Sequence, residues 1–411
     1  MTIRRIIVEA WFDGVALHAE GPYLIVVTDG VIASIALAAA TEKADLRAAF
    51  AMPGLCDAHV HLFLDGAKLD PVERNAQLRS GLPAMLAVAR SNIDNSLQAG
   101  VTVLRDAGDV FGVNHAMREE FGARAGDTMT LRSCGAGLRR TGRYGRLLAH
   151  EIGASDMAAG VDAAAETADD VKVLLTDIVD FESGQMKRPP QFDLEEMQFI
   201  VERARRHKRR TFVHCSGVDG LAIAVAAGVD SIEHGYFMNR EILKRMADSE
   251  IAWVPTFAPV RFQFERPEIA GWSRTAMANL ERLLASHAEH LALGHELGVP
   301  IIAGSDAGSP GVPHGSGLID ELYFMHETGL SLAAVLHCAT GEPRRHWGMP
   351  AAALAAGQQA DLVLLEMSPF RDPDALRKVL AVVRGDTVFN RDPASHVRSR
   401  PQESAARDIS A

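Results

Sequence analysis

The spacing of apolar and polar positions changes character twice along this chain. Over the first forty residues, apolar residues come in short runs at 3–9, 23–28 and 31–37, with the turn pair Asp29-Gly30 between the last two. β-Branched and aromatic residues bounded by turn formers predict strands, so this region reads as a meander. From residue 51 the pattern alternates. Short apolar runs at 51–61, 100–106, 128–134, 170–176, 211–214, 230–234, 251–256 and 300–306 are separated by longer segments, such as 194–207 and 277–297, whose apolar residues recur at helical spacing. Strand and helix in strict alternation predict parallel strands joined by crossovers. Eight such units in about 300 residues suit a closed (β/α)8 TIM-like barrel, with a doubly wound open sheet as the alternative. Beyond residue 350 the short runs return, at 360–365, 379–384 and 387–389. The expected architecture is therefore α/β: a barrel over 51–350, a small β-sandwich domain formed from both ends of the chain (1–50 plus 351–395), and a polar tail over 396–411.

Composition narrows the function classes. The chain has 411 residues, 47% of them apolar, enough for a large core. Its formal net charge of −11 argues against nucleic acid as a partner, because phosphate binding needs a basic footprint. No apolar run approaches a membrane span, and the start lacks the apolar core of a secretory signal, so a cytoplasmic location is expected. The four cysteines, Cys56, Cys134, Cys215 and Cys338, are far apart and form no C-x-x-C pair, which suggests neither a disulfide framework nor a cysteine zinc site. No Gly-rich phosphate loop or G-x-S-x-G elbow stands at a suitable strand end.

Chemistry in a parallel barrel is delivered by the C-terminal ends of the strands. The first run ends in His59-Val60-His61, where strand alternation puts both imidazoles on one side, within reach of one metal. The fourth contains Lys172 inside Val171-Lys172-Val173-Leu174-Leu175. A lysine there is costly if buried and unpaired. Either it snorkels to water or carbon dioxide converts it to a carbamate able to bridge two cations. The fifth, sixth and eighth runs end at His214, His234 and Asp306. Singly, each is as compatible with a satisfied core residue; together, at the same end of one predicted barrel, they point to a metal centre.

These residues lie in motifs that resemble the amidohydrolase superfamily. Pro53-Gly54-Leu55-Cys56-Asp57-Ala58-His59-Val60-His61 is similar to its opening signature. Ala99-Gly100-Val101-Thr102 leading to Arg105-Asp106, then Lys172, His214, Ser231-Ile232-Glu233-His234-Gly235 and Gly304-Ser305-Asp306-Ala307-Gly308 follow in the family's order. The likeness is greatest to the imidazolonepropionase-like and prolidase-like branches, which include Xaa-Pro and Xaa-Arg/Lys dipeptidases. It implies two divalent metal ions, zinc as the usual choice. His59, His61 and Asp306 would hold the more buried ion and His214 and His234 the other, with carboxylated Lys172 bridging them. It also implies Asp306 as the catalytic proton carrier and hydrolysis of an amide C–N bond in a small carboxylate-bearing substrate, a dipeptide or N-acyl amino acid. Arg105, Asp106, Asp57 and Glu233 would support the ligands through hydrogen bonds. Opening of a cyclic amide is the alternative. A deaminase is less compatible, since Gly217 and Phe237 stand where that group's catalytic Glu would follow His214 or His234. A non-catalytic relative would be expected to have lost ligands.

Softer signals concern the substrate. Where many relatives have a Thr-Gly-Gly-His-Gly stretch, this chain has Thr141-Gly142-Arg143-Tyr144-Gly145, within a run of four arginines from Arg139 to Arg146. Guanidinium forks suit a carboxylate, so Arg143 and Tyr144 are candidate substrate contacts, the alternative being a solvated loop or a subunit contact. Tyr236 and His314 are further candidates, each equally readable as packing or as a surface group. A small-molecule substrate and a homo-oligomeric assembly are expected.

Overall fold

The computed structural model describes residues 1–123, 129–351 and 353–390. The tail expected at 396–411 and positions 391–395 of the expected small domain lie outside them. The fold is a TIM-barrel-like α/β arrangement with an additional sheet built from both ends of the chain. Two parallel sheets form its centre. One has the order Leu55–Val60, Val101–Asp106, Thr130–Ser133; the other runs Ala149–Ile152, Gly137–Arg140, Asp170–Leu174, Arg210–Cys215, Ser231–His234, Ala252–Val254. Helices follow most of these strands and cover them. The strands are accordingly covered on both faces, and Leu55–Val60, Val101–Asp106 and Asp170–Leu174 are buried along their whole length.

Backbone hydrogen bonds link the two sheets. Asp169 N donates to Ser133 O at 2.9 Å. On the other side, Ile302 N donates to Trp253 O (2.9 Å), Ala58 N to Ala303 O (3.0 Å) and Asp306 N to His59 O (2.7 Å). The run expected as the strand 300–306 is thus extended between the strands Ala252–Val254 and Leu55–Val60, but it forms only isolated bridges, Trp253 to Ile301 and Val60 to Ala307. The physical reason is local. Ser305 N is taken by Asp57 Oδ1 at 2.8 Å, and Asp306 turns into the left-handed region at φ 55°, so the ladder cannot run on.

The helix pattern is expressed where the sequence spacing is regular. Leu194–Arg206 opens on a capping box in which Asp193 accepts from Glu196 N and the Glu196 side chain accepts from Asp193 N. It buries Met197, Ile200, Val201 and Ala204, one face at a period of 3.6, and its last turn places Arg203, Arg205 and Arg206 against the negative end of the helix dipole.

The additional sheet has eight strands in the order Thr387–Asn390, Val379–Arg384, Asp361–Leu365, Leu46–Pro53, Ile3–Phe12, Tyr23–Thr28, Val31–Leu37, with Leu17–His18 beside Ile3–Phe12. The two chain ends meet where Asp361–Leu365 runs antiparallel to Leu46–Pro53. Alternation divides its residues between two cores: Ile6, Val8, Leu362 and Leu364 pack among themselves, whereas Phe50, Met52, Val363 and Leu365 join the main core. The run 51–61, expected as one strand, is two. It breaks at Gly54, where a Cβ would stand 2.2 Å from both Thr102 Oγ1 and Asp361 Oδ1. The chain passes there from the outer sheet to the parallel one.

Candidate metal centre

The C-terminal ends of the parallel strands open onto a cavity of about 240 Å³, and His59, His61, Lys172, His214, His234 and Asp306 all line it. The six residues singled out along 248 positions of sequence are brought to one place.

His59 Nδ1–H donates to Glu233 Oε2 at 2.6 Å, and His61 Nδ1–H to Gly108 O at 3.3 Å. Each ring therefore presents Nε2 as a free lone pair, 3.9 Å and 3.4 Å from Asp306 Oδ1. One donor atom from each of the three lies within 4.8 Å of the others. Burial holds His61 down at about 3 and His59 well below the ordinary imidazole range, so these are neutral rings and not ion-pair partners of Asp306. Burial pushes Asp306 up to about 7, partly opposed by the Lys172 charge. Converging lone pairs on neutral imidazoles beside a carboxylate are the donor set a divalent cation such as zinc takes.

His214 and His234 stand beside this trio, with ring centres 4.5 Å apart and His234 5.1 Å from His59. His234 Nδ1 lies 2.7 Å from Thr256 Oγ1. His214 is anchored by a backbone hydrogen bond at Asp177 and held at about 3, chiefly by burial, while its Nε2 is buried without a partner. Lys172 Nζ is likewise buried and unpartnered, 4.7 Å from the centre of the Phe212 ring. Burial lowers its ammonium to about 8. Gly137, on the neighbouring strand, makes room for it: a Cβ there would meet Lys172 Cγ at 3.0 Å and Cβ at 3.2 Å. Orphaned buried nitrogens are rare and costly. Two of them, aimed into the cavity that His59, His61 and Asp306 line, fit a centre that ligands complete.

The surrounding framework is over-determined. Glu233 is fully buried; besides His59 it accepts from Arg105 Nη2 at 2.9 Å and Ser231 Oγ at 2.8 Å. Arg105 Nε reaches Ala58 O at 2.8 Å. Asp57 ties the eighth run to the first by accepting from Ser305 N and Ser305 Oγ, and Asp106 accepts from Leu62 N and Gly108 N, both at 2.8 Å. Three non-glycine residues at strand ends adopt left-handed backbone: His234 at φ 66°, Thr256 at φ 50° and Asp306 at φ 55°. Such conformations cost about 1–3 kcal/mol each and persist where surrounding bonds enforce them.

The candidate substrate residues separate. Tyr144 and Tyr236 line the cavity. Tyr144 lies with its ring centre 5.4 Å from His214, and Tyr236 Oη donates to Thr256 O at 3.0 Å. Arg143 and His314 are not among the lining residues. Arg143 Nη2 donates to Pro189 O at 2.6 Å and faces Asp177 at 3.4 Å. Arg139 pairs with Glu151, and Arg140 with Glu196. These three guanidinium groups are spent on the protein's own carboxylates and carbonyls, which local sequence could not reveal. His314 is buried close to His61, and both its ring nitrogens lack partners.

Several lining residues escaped the sequence reading. Ile178, Val179 and Phe181 come from a short hairpin, and Pro259, Val260 and Gln263 from the helix Phe257–Glu265. Ser216 was findable, being two residues beyond His214; Thr256, which ends the seventh run, is outside the lining and meets the site through His234 Nδ1. The hairpin residues had no signal.

A TIM-barrel-like scaffold whose strand ends deliver four histidines and an aspartate to one cavity defines a candidate metal-site protein. The chain belongs to the amidohydrolase family, whose model matches residues 50–392. It is 25% identical to an ochratoxinase of Aspergillus niger over 92% of this chain and 86% of that protein. It is 27% identical to an uncharacterized protein of Mycobacterium tuberculosis over 91% and 94%. Among solved structures, a Xaa-Pro dipeptidase with methionine bound in its active site matches with a TM-score of 0.80 at 22% identity, covering 95% of this chain and all of that one. The A. niger ochratoxinase matches with a TM-score of 0.78 at 23% identity, covering 95% and 96%. Among the described residues, no helix is long and apolar enough to cross a membrane.

Proposed function

We propose that this chain is a binuclear metal-dependent hydrolase that cleaves an amide C–N bond in a small substrate bearing a bulky apolar group, with dipeptides and N-acyl amino acids as the forms to test. The observation that supports this reading is the convergence of four neutral imidazoles, Asp306 and the orphaned amine of Lys172 on one cavity. His59, His61 and Asp306 would hold one ion, His214 and His234 the second, and Lys172, as its carbamate, would join both. Divalent cations bound there supply a water acidified to near neutrality and polarisation of the scissile carbonyl.

The protein's own groups do the rest. Asp306 would take a proton from the attacking water at its carboxylate and return it to the leaving nitrogen, the balance that general acid–base catalysis requires. Leu64, Leu148, Leu174, Ile178, Phe181 and Val260 form an apolar wall that excludes water and receives an aliphatic or aromatic side chain. Lys172 is the one cationic side chain among the described lining residues. A substrate carboxylate would therefore be met by the hydroxyl of Tyr144 and not by the arginine loop, since Tyr236 Oη already donates its proton to Thr256 O. The Xaa-Pro dipeptidase among the structural relatives acts on dipeptides by name, which supports linear amides ahead of rings. We read the hydrogen bonds around residues 300–307 as closing an eight-stranded barrel, and the outer sheet, whose Val31 bridges Gln359, as curling into the expected small sandwich.

The experiment is amine release from a panel of Xaa-Pro, Xaa-Arg and other dipeptides and N-acyl amino acids, with cyclic imides and imidazolones followed by ultraviolet absorbance. Turnover of linear amides with aromatic or branched residues is expected. Turnover confined to rings would replace this reading with cyclic amide opening, and a zinc-loaded protein silent across the panel would end it.

A further inference from the structure

Glu321 is a fully buried carboxylate near the centre whose task lies outside the ligand set and its direct supports. It sits in the helix Ser316–Glu327 and is 0% exposed. Its Oε1 accepts from Phe257 N at 2.9 Å and its Oε2 from Ala258 N at 2.8 Å. These are the first two N–H groups of the helix Phe257–Glu265, which supplies Pro259, Val260 and Gln263 to the cavity.

The residue before that helix is Thr256. A threonine at a helix N-cap ordinarily turns its hydroxyl back to accept from the N–H groups of the first turn. Thr256 does not: its side chain makes no cap hydrogen bond, and its backbone sits at φ 50°, ψ 59°. Its Oγ1 lies instead 2.7 Å from His234 Nδ1, and its carbonyl accepts from Tyr236 Oη at 3.0 Å. The helix start is thus capped in trans, by two oxygens from a different helix. Burial pushes the Glu321 carboxyl up to about 8, a rise that the two N–H bonds oppose, so the cap rests on its two acceptor oxygens.

We propose that Glu321 is a positioning residue for the candidate ligand His234: by capping the helix Phe257–Glu265 from outside, it releases the Thr256 hydroxyl from that role and holds it against His234 Nδ1. With Nδ1–H donating to Thr256 Oγ1, the ring is fixed in the tautomer that leaves Nε2 as the lone pair facing the cavity. If the external cap is lost, Phe257 N and Ala258 N lose these acceptors, and the replacement an N-cap residue offers is the Thr256 hydroxyl. Its rotation toward them would free the His234 ring. Partners of this kind behind metal-ligating histidines typically alter metal affinity about 10–100-fold.

The inference rests on the metal centre proposed above, and its test reads metal binding, not turnover. Apo-protein with bicarbonate is titrated with Zn²⁺ against a chromophoric chelator, for the parent, Glu321→Gln, Thr256→Val and the double variant. The parent should take two equivalents. Glu321→Gln should weaken one of them about tenfold or more and leave the other unchanged, and Thr256→Val should weaken the same one. The double variant should be no weaker than the worse single, because both substitutions break one chain of contacts. Glu321→Asp, which keeps the carboxyl group but draws it back by one methylene, should fall between parent and Gln; it supplies the same reading where the Gln variant does not fold. Unchanged affinity for both equivalents in the Glu321 variants, or losses that multiply in the double variant, would overturn the positioning role while leaving the metal centre intact. A parent that binds no zinc would overturn the metal centre itself.

Discussion

Lys172 offers the sharpest test of the centre's chemistry. Its Nζ is buried without a hydrogen-bond partner, and burial lowers its ammonium from 10.5 to about 8. Carbon dioxide reacts with the neutral amine only. At pH 7 a group at 8 is neutral in about one molecule in ten, against about three in ten thousand for an ordinary lysine, an advantage of roughly 300-fold. The sign follows directly: the neutral fraction grows as pH rises through 8 and falls as the amine recharges below it. Apo-protein exposed to ¹³C-bicarbonate should therefore give a carbamate signal in ¹³C NMR that is stronger at pH 8.5 than at pH 7. Zinc should strengthen it by holding the carbamate, and Lys172→Met should abolish it. The second zinc equivalent should in turn depend on bicarbonate in the parent. A short carboxylic acid such as acetate or propionate should partly restore it in a Lys172→Ala variant, where the truncated side chain leaves room. A carbamate signal that survives Lys172→Met, or a second equivalent taken up equally well without carbon dioxide, would refute the assignment.

Three further outcomes follow from the geometry. Asp306→Asn should reduce kcat about 10²–10⁴-fold on whichever amide the panel identifies, because Asn cannot take up a proton; a near-normal kcat would remove Asp306 from that role. Glu233→Gln leaves the buried Arg105 guanidinium without its carboxylate partner at 2.9 Å, so chemical denaturation should register a loss of about 3–5 kcal/mol, and an unchanged midpoint would mean that the pair contributes nothing net. Arg143→Met should leave KM unchanged, since Pro189 O and Asp177 already engage its guanidinium; a KM raised about tenfold would bring it to the substrate after all.

Much of the architecture and the whole candidate ligand set were legible in the chain itself. Periodicity is a local property, so alternating apolar runs revealed parallel strands and crossovers, and the rule that strand ends carry chemistry picked out His59, His61, Lys172, His214, His234 and Asp306. Their convergence on one cavity needed no further information than strand order. What local pattern could not supply was the fate of groups whose partners are distant in sequence. Gly54 breaks a continuous apolar run because Thr102 and Asp361 crowd it from elsewhere. The arginines of residues 139–143 look like a carboxylate clamp until Glu151, Asp177 and Glu196 are seen to claim them. Ile178 and Phe181 are unremarkable apolar residues until a hairpin places them on the cavity wall. Glu321 is one acid among 53 acidic residues until folding sets its two oxygens on the first N–H groups of a helix 63 residues earlier. Hydrophobic spacing determines which elements form and which way they face; long-range hydrogen bonds, which have no period, decide which polar groups remain free for chemistry.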